Sequence, residues 1–100
     1  MKDIAKKMDF DVYTDLKDKK TQYNIKIDLE NEVDSHTREA AIVLSGAIVR
    51  NYFKNLYADV HNDKELSTRI KDTLNVWISK ETGFIAKDVN IGLKKINNRA

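Results

Sequence analysis

The sequence predicts an α+β fold in which residues 1–100 form one domain: a β-hairpin, a long central helix, a second helix and a C-terminal helix or strand. The hairpin follows from period-two alternation over residues 10–29, and the helices follow from an apolar segment over 35–58 and a helical stripe over 63–81. Apolar residues make up 41% of the chain and charged residues 34%, which is typical of a globular domain and not of a disordered chain.

The hairpin prediction rests on two runs in which inward-facing residues occupy every second position. These residues are Phe10, Val12, Thr14 and Leu16 in the first run and Tyr23, Ile25, Ile27 and Leu29 in the second. The tip between them carries Lys17, Lys19 and Lys20 but lacks the Asn-Gly or Asp-Gly pair of a two-residue turn, so we expect a loop of about four or five residues. Tyr13 falls on the other face of its strand, where we expect it to be exposed beside this tip.

The central helix has hardly a polar side chain over residues 40–49, so we expect other elements to cover it on more than one side. Gly46 costs about 1 kcal/mol relative to alanine in mid-helix and is interpreted as a close packing contact. The preceding acidic run, residues 30–34, is interpreted as a solvated linker. Either Asp34 or Ser35 is expected to cap the helix.

The second helix carries one apolar stripe, formed by Leu66, Ile70, Leu74, Trp77 and Ile78. Either Asn62 or Asp63 is expected to cap its first turn, and Asn62 with Glu65 has the spacing of a capping box. Thr82-Gly83 supplies the stop, since glycine adopts the left-handed conformation that ends many helices. Four aromatic residues at helical spacing are expected in the core rather than on a base-stacking surface: Tyr52, Phe53, Tyr57 and Trp77.

The last segment, residues 86–97, fits two patterns. As a strand, apolar residues alternate with polar ones from Val89 to Leu93, and as a helix, an apolar stripe runs from Ile85 to Ile96. Both alternatives stay open, and both give an α+β fold.

The sequence contains no catalytic or metal-binding motif, so we expect a protein that is not an enzyme and that needs no metal or cofactor. There is no cysteine, and His36 and His61 lie next to predicted helix starts, where surface or capping roles are commoner than catalysis. Acidic residues alternate from Asp28 to Asp34 but lack the glycine of a calcium loop. Because no signal-peptide or membrane-spanning segment is visible, we expect a cytoplasmic protein without membrane contact.

Residues 75–95, NVWISKETGFIAKDVNIGLKK, resemble the helix-turn-helix unit of DNA-binding proteins. Five positions carry the resemblance: Ser79, Gly83, Phe84, Val89 and Leu93. In that family the second helix enters the major groove, so the resemblance implies DNA contacts at Lys87, Asp88, Asn90, Ile91, Lys94, Lys95 and Arg99. Gly92 departs from the family pattern, in which an apolar core residue is usual at this position.

Residues 66–93 are also similar to the C-terminal helix and strand of the alkaline-shock family. In that family a Thr-Gly turn precedes a strand of the form Val-Asn-Val, and this chain has Thr82-Gly83 followed by Val89-Asn90-Ile91. This resemblance implies a C-terminal strand. It ranks second because that family's preceding strands have no counterpart across the central helix.

A basic hairpin beside a helix-turn-helix resembles the wing of winged-helix proteins, although most wings follow the helices. Small winged-helix accessory proteins of conjugative plasmids are similar in size and composition. These resemblances imply a winged-helix-like, plasmid- or phage-type accessory factor that binds double-stranded DNA, and we expect a homodimer. The wing would contact DNA through Lys17, Lys19, Lys20, Thr21 and Gln22, because a two-stranded ribbon can carry lysines into a narrow minor groove. The alternative function is a small protein-binding adaptor or inhibitor without nucleic-acid contact.

Overall fold

The computed structural model describes residues 5–16, 19–55 and 62–98. Its elements follow in the order β1 (Ala5–Leu16), β2 (Lys19–Val33), α1 (Ser35–Asn55), α2 (Asp63–Trp77), a 3₁₀ turn (Lys80–Thr82) and β3 (Ala86–Asn98). The strands form one antiparallel sheet in the order β1-β2-β3, so β2 is the central strand. The predicted α+β fold class is confirmed.

The C-terminal segment is a strand. β3 pairs with β2 from Lys19 opposite Asn98 at one end to Leu29 opposite Ala86 at the other. This pairing satisfies the backbone of β3 along its inner edge and turns alternate side chains toward the core. The helical alternative for residues 86–97 is therefore wrong.

The helix-turn-helix and alkaline-shock resemblances imply different structures for the C-terminal segment. Residues 86–98 are a strand, so no second helix follows the turn within residues 75–95. The order of helix, Thr82-Gly83 turn and strand agrees with the local arrangement that the alkaline-shock resemblance implies. Gly83 has φ 81°, the left-handed conformation expected of it.

The hairpin is longer and tighter than the alternation over residues 10–29 predicts. Leu16 pairs with Lys19, which leaves two residues between the strands instead of the expected four or five. Those two residues, Lys17 and Asp18, lie outside the described part of the chain.

The acidic run before α1 is a strand and not a linker. β2 continues to Val33, which pairs with Ala5 of β1 and whose side chain is 2% exposed. Two contacts hold this end of β2 to the segment before β3: the Glu30 N–H donates to the Ile85 carbonyl at 2.9 Å, and the Asn31 side chain donates to the Gly83 carbonyl at 3.2 Å.

Both helices pack on one face of the sheet, with α1 against β1 and α2 against β3. The largest fully buried side chains are Phe53, Phe84, Ile25, Ile27, Leu66, Ile70, Leu74 and Val49. The alternating residues of the hairpin and the stripe at Leu66, Ile70 and Leu74 thus form the core that the sequence predicts. Among the described residues, no helix combines the length and the apolarity needed to cross a membrane.

Each helix begins at a side-chain cap. Asp34 accepts from the Thr37 N–H at 2.9 Å, and Asn62 accepts from the Glu65 N–H at 3.0 Å, so in each case the first of the two expected candidates is the cap. The Glu65 carboxylate accepts from the Tyr52 hydroxyl at 3.0 Å, so it ties α2 to α1.

The expectation that Trp77 lies in the core is wrong. Trp77 is 73% exposed because it is the last residue of α2, beyond the final buried position of the stripe at Leu74. Tyr52 and Phe53 are buried as expected, and Tyr57 lies outside the described residues.

The described residues cover the central helix on one side. Its buried residues face the sheet and α2, whereas Val43, on the opposite side, is 71% exposed. The apolar character of α1 is thus greater than the packing of one chain requires.

Candidate nucleic-acid interface

The sheet face opposite the helices, called here the outer face, is open and polar. Its side chains are Lys7, Asp9, Asp11, Tyr13, Gln22, Asn24, Lys26, Asp28, Asp88, Asn90 and Lys94. These residues alternate with the buried ones, as expected for an antiparallel sheet with one solvated face.

A hydrogen-bonded cluster occupies the middle of the outer face. The Asn24 side-chain amide donates to Asp9 at 2.7 Å and to Asp11 at 3.1 Å. Asp11 also accepts from Gln22 at 3.0 Å and from the Lys94 ammonium at 3.3 Å. Side chains from all three strands therefore meet at Asp11.

This cluster favours the ionised form of the Asp11 carboxyl. The hydrogen bond from Asn24 contributes most to lowering the pKa of Asp11 below its usual value, and Lys94 and Gln22 lower it further. Lys94 is accordingly engaged by a carboxylate on its own sheet.

The strand register brings together two basic groups that are far apart in the sequence. Lys19 and Lys20 lie opposite Asn98 and Asn97, and Lys95 lies opposite Gln22. At about 3.4 Å per residue, the backbones of the four residues Lys19, Lys20, Lys94 and Lys95 fall within about 15 Å along the sheet. We call the residues 15–16, 19–22 and 93–98 the basic end.

The basic end concentrates positive charge. It contains four lysines and one acidic residue, Asp15, giving +3, whereas the whole chain carries +2, so that the remaining residues sum to −1. A bulge in the β2–β3 pairing adds to this pattern. Gln22 pairs with Lys95 and Tyr23 with Leu93, so Lys94 is the extra residue.

An exposed aromatic residue borders the basic end. Tyr13 lies opposite Gln22 in the β1–β2 pairing and is 65% exposed, as the sequence predicts. Tyr23 differs: it faces the core, stacks on Phe53 with ring centroids 5.3 Å apart, and has a pKa raised to about 12, first by burial and then by the charge of Asp63. Only Tyr13 of this pair offers a ring to a ligand.

Not all predicted DNA-contacting residues reach this region. Thr21 is 6% exposed and faces the core, away from the surface on which a DNA contact was expected. Lys87 is exposed at the opposite end of the sheet, near Asp28. Asn90 lies between the two ends and donates to Asp88 at 3.2 Å. Lys17 is outside the described residues.

Sequence reasoning missed two polar side chains that position β3. Asn75 of α2 accepts from the Ala86 N–H at 2.8 Å and donates to the Ala86 carbonyl at 3.2 Å. Ser67, also on α2, accepts from the Ile91 N–H at 3.1 Å, on the edge of β3 that faces away from β2. In the sequence, Ser67 and Asn75 stand out as polar residues next to the apolar stripe of α2. That position does not show which backbone groups they bond to.

Within the described ranges, no three His, Cys, Asp or Glu side chains are grouped so that they could hold a metal ion. Comparison of the chain with protein families, curated proteins and solved structures gave no match.

Proposed function

We propose that this protein binds double-stranded DNA through the basic end of its sheet. The observation that carries the proposal is the register of β2 with β3, which brings the backbones of Lys19 and Lys20 to the same end of the sheet as those of Lys94 and Lys95. A duplex presents one negative charge about every 1.7 Å along its axis, so a cluster of lysines at the end of a narrow sheet can contact several phosphates at once.

The proposal uses the hairpin as a basic wing and requires no recognition helix. A two-stranded ribbon with lysines at its turn fits a groove, and contacts of this kind depend on the shape and potential of DNA more than on base edges. Tyr13, exposed beside the lysines, adds a ring that can pack against a sugar or a base.

In this proposal Lys94 exchanges partners when DNA binds. The free protein holds its ammonium 3.3 Å from Asp11, and a phosphate would compete with that carboxylate. Asp11 therefore weakens DNA binding, both by engaging Lys94 and by repelling phosphates.

The experiment is a fluorescence-anisotropy titration of an AT-rich duplex at two or more salt concentrations. With four lysines on phosphates we expect the plot of log K against log salt to have a slope of about −4. Replacing Lys19 and Lys20 by alanine should weaken binding several-fold and reduce the slope by about one to two. Asp11→Asn should have the opposite effect and strengthen binding.

The matched control is Lys6→Ala with Lys7→Ala, an adjacent exposed pair at the opposite end of the sheet. It removes the same charge but should leave the affinity nearly unchanged. Equal losses in both double variants would show that net charge alone drives binding and would overturn the assignment to the basic end. Failure to bind at low salt would overturn the DNA proposal and favour the protein-binding alternative.

A further inference from the structure

The outer side of α1 has an apolar centre, formed by Ala40, Val43 and Ala47, that nothing in the described chain covers. Its exposed residues, called here the α1 outer face, are His36, Glu39, Ala40, Val43, Ala47, Arg50 and Lys54. They recur every three or four positions and so fall on one side of the helix. Leu44 lies at the margin of this face. Together with five residues of the face it lines a shallow groove, and those five are His36, Glu39, Ala40, Val43 and Ala47.

Gly46 leaves a gap in this face that a charged side chain now covers. A Cβ added at Gly46 would lie 3.2 Å from Nη2 of Arg50, so the guanidinium lies directly over the glycine. Arg50 is exposed and long, and it can leave this place at little cost.

The arrangement is complementary to itself. At about 100° per residue, Glu39 and Arg50 both lie within about 40° of Val43 around the helix, with the acidic residue toward one end and the basic residue toward the other. A second helix running antiparallel across this face would bring opposite charges together at both ends.

We infer that the α1 outer face binds a second copy of this chain, in an antiparallel α1–α1 contact whose two-fold axis passes between residues 44 and 45. In such a pair, residue i lies level with residue 89 − i of the other copy. Glu39 then meets Arg50 of the second copy, and the same pair forms again at the other end of the contact.

The same symmetry fits the apolar centre of the face. Val43 lies level with Gly46 of the second copy and takes the space that Arg50 leaves when it moves to its new partner. Ala47 lies about 3 Å along the axis from Ala40 of the second copy, and neither side chain is large enough to hold the helices apart. A single helix pair is a small interface, so the dimer should be weak, with a Kd of the order of micromolar.

The test is sedimentation velocity of the full chain without DNA, over a range of concentrations. We expect a concentration-dependent monomer–dimer equilibrium. Glu39→Arg should raise the dimer Kd about tenfold, because it loses two ion pairs and adds two repulsions. Adding Arg50→Glu to the same chain should restore Kd to within about threefold of the natural value, since the pairs re-form with reversed sign.

Gly46→Ala separates association from folding. Alanine in mid-helix should raise the Tm of the monomer by about 4 °C or more, whereas the added methyl group should weaken the dimer by displacing Val43 of the second copy. Val43→Lys should abolish the dimer and leave the circular dichroism of the fold unchanged, since this side chain is 71% exposed.

The inference is overturned if the chain stays monomeric to about millimolar concentration, or if Val43→Lys leaves a dimer intact. It is also overturned if the charge-swapped double variant is as weak as Glu39→Arg alone. The test involves no DNA, so its outcome is independent of the function proposed for the basic end.

Discussion

The two helices cover the same sheet face but differ in their exposed sides. α2 buries Leu66, Ile70 and Leu74 and exposes charged and polar residues over the rest of its length, apart from its last turn. α1 buries a comparable set and also exposes Val43 at 71%, with alanines on either side. α1 therefore carries apolar residues on its exposed side as well as on the side that packs in the core.

The buried residues of both helices stabilise the fold, whereas the exposed apolar residues of α1 are available for association with another molecule. Single exposed apolar residues are ordinary on a protein surface. A row of three exposed apolar residues between Glu39 and Arg50 is less so, and on α1 this row lies beside Gly46. The fold accounts for the apolar residues of α2 up to its last turn, where Val76 and Trp77 are exposed, and for those on the buried side of α1.

The largest effect should come from the buried side of α1. Phe53 is 1% exposed and contacts Tyr23 and Tyr52 with ring centroids 5.3 and 5.4 Å away. We expect Phe53→Ala to lower the free energy of unfolding by about 3–5 kcal/mol in urea denaturation. Val43→Ala, on the other side of the same helix, should change it by no more than about 0.5 kcal/mol at low protein concentration. Equal losses would show that α1 has no free side.

A smaller effect on stability should come from the side-chain caps at the starts of the two helices. The Thr37 N–H lowers the pKa of Asp34 from its usual 3.8, so the folded state binds this proton less tightly than the unfolded chain. The resulting stabilisation is present above about pH 4 and is lost as the pH falls through the lowered pKa. Asn62, the cap of α2, does not titrate.

Asp34→Asn keeps an acceptor for the Thr37 N–H, so Tm at pH 6 should change little while the loss of Tm between pH 5 and pH 2 becomes smaller. Asn62→Asp should do the reverse and make α2 acid-sensitive as well. If Asp34→Asn loses as much Tm between pH 5 and pH 2 as the natural protein does, other carboxylates, such as Asp11, account for the acid sensitivity.

The smallest effect should come from the end of α2. Trp77 is the single tryptophan of the chain and is 73% exposed, so Trp77→Ala should alter stability by no more than about 0.5 kcal/mol. The emission maximum of native Trp77 should already lie close to that of the unfolded chain. A large blue shift of the emission maximum in the native protein would show that the Trp77 ring is packed against other groups. It would then be a candidate contact surface, like the outer face of α1.

Local patterns were sufficient for much of the fold. Alternation identified both strands of the hairpin, and spacing identified the buried stripe of α2. Each cap could be narrowed to two neighbouring residues, Asp34 or Ser35 and Asn62 or Asp63, because a cap bonds to a residue only three positions away.

Expectations failed where the deciding contact is distant in sequence. Residues 86–97 fit a helix and a strand equally well until β2 offers an edge to pair with. Trp77 continues the apolar stripe, yet its exposure depends on where the neighbouring elements end. The basic end was predicted in two separate parts, the hairpin tip and the C-terminal segment, and only the strand register shows that they adjoin.

The central position of β2 also sets the order in which the chain can fold. Two residues separate β1 from β2 in the sequence, whereas β3 follows β2 only after both helices. During synthesis, one edge of β2 therefore stays unpaired while more than fifty residues are added. Such long-range pairing is slow to form, because the intervening chain must be ordered first. Until then Ile25 and Ile27 lie beside an open strand edge, and the nascent chain passes through a state in which pairing with another polypeptide competes with its own completion.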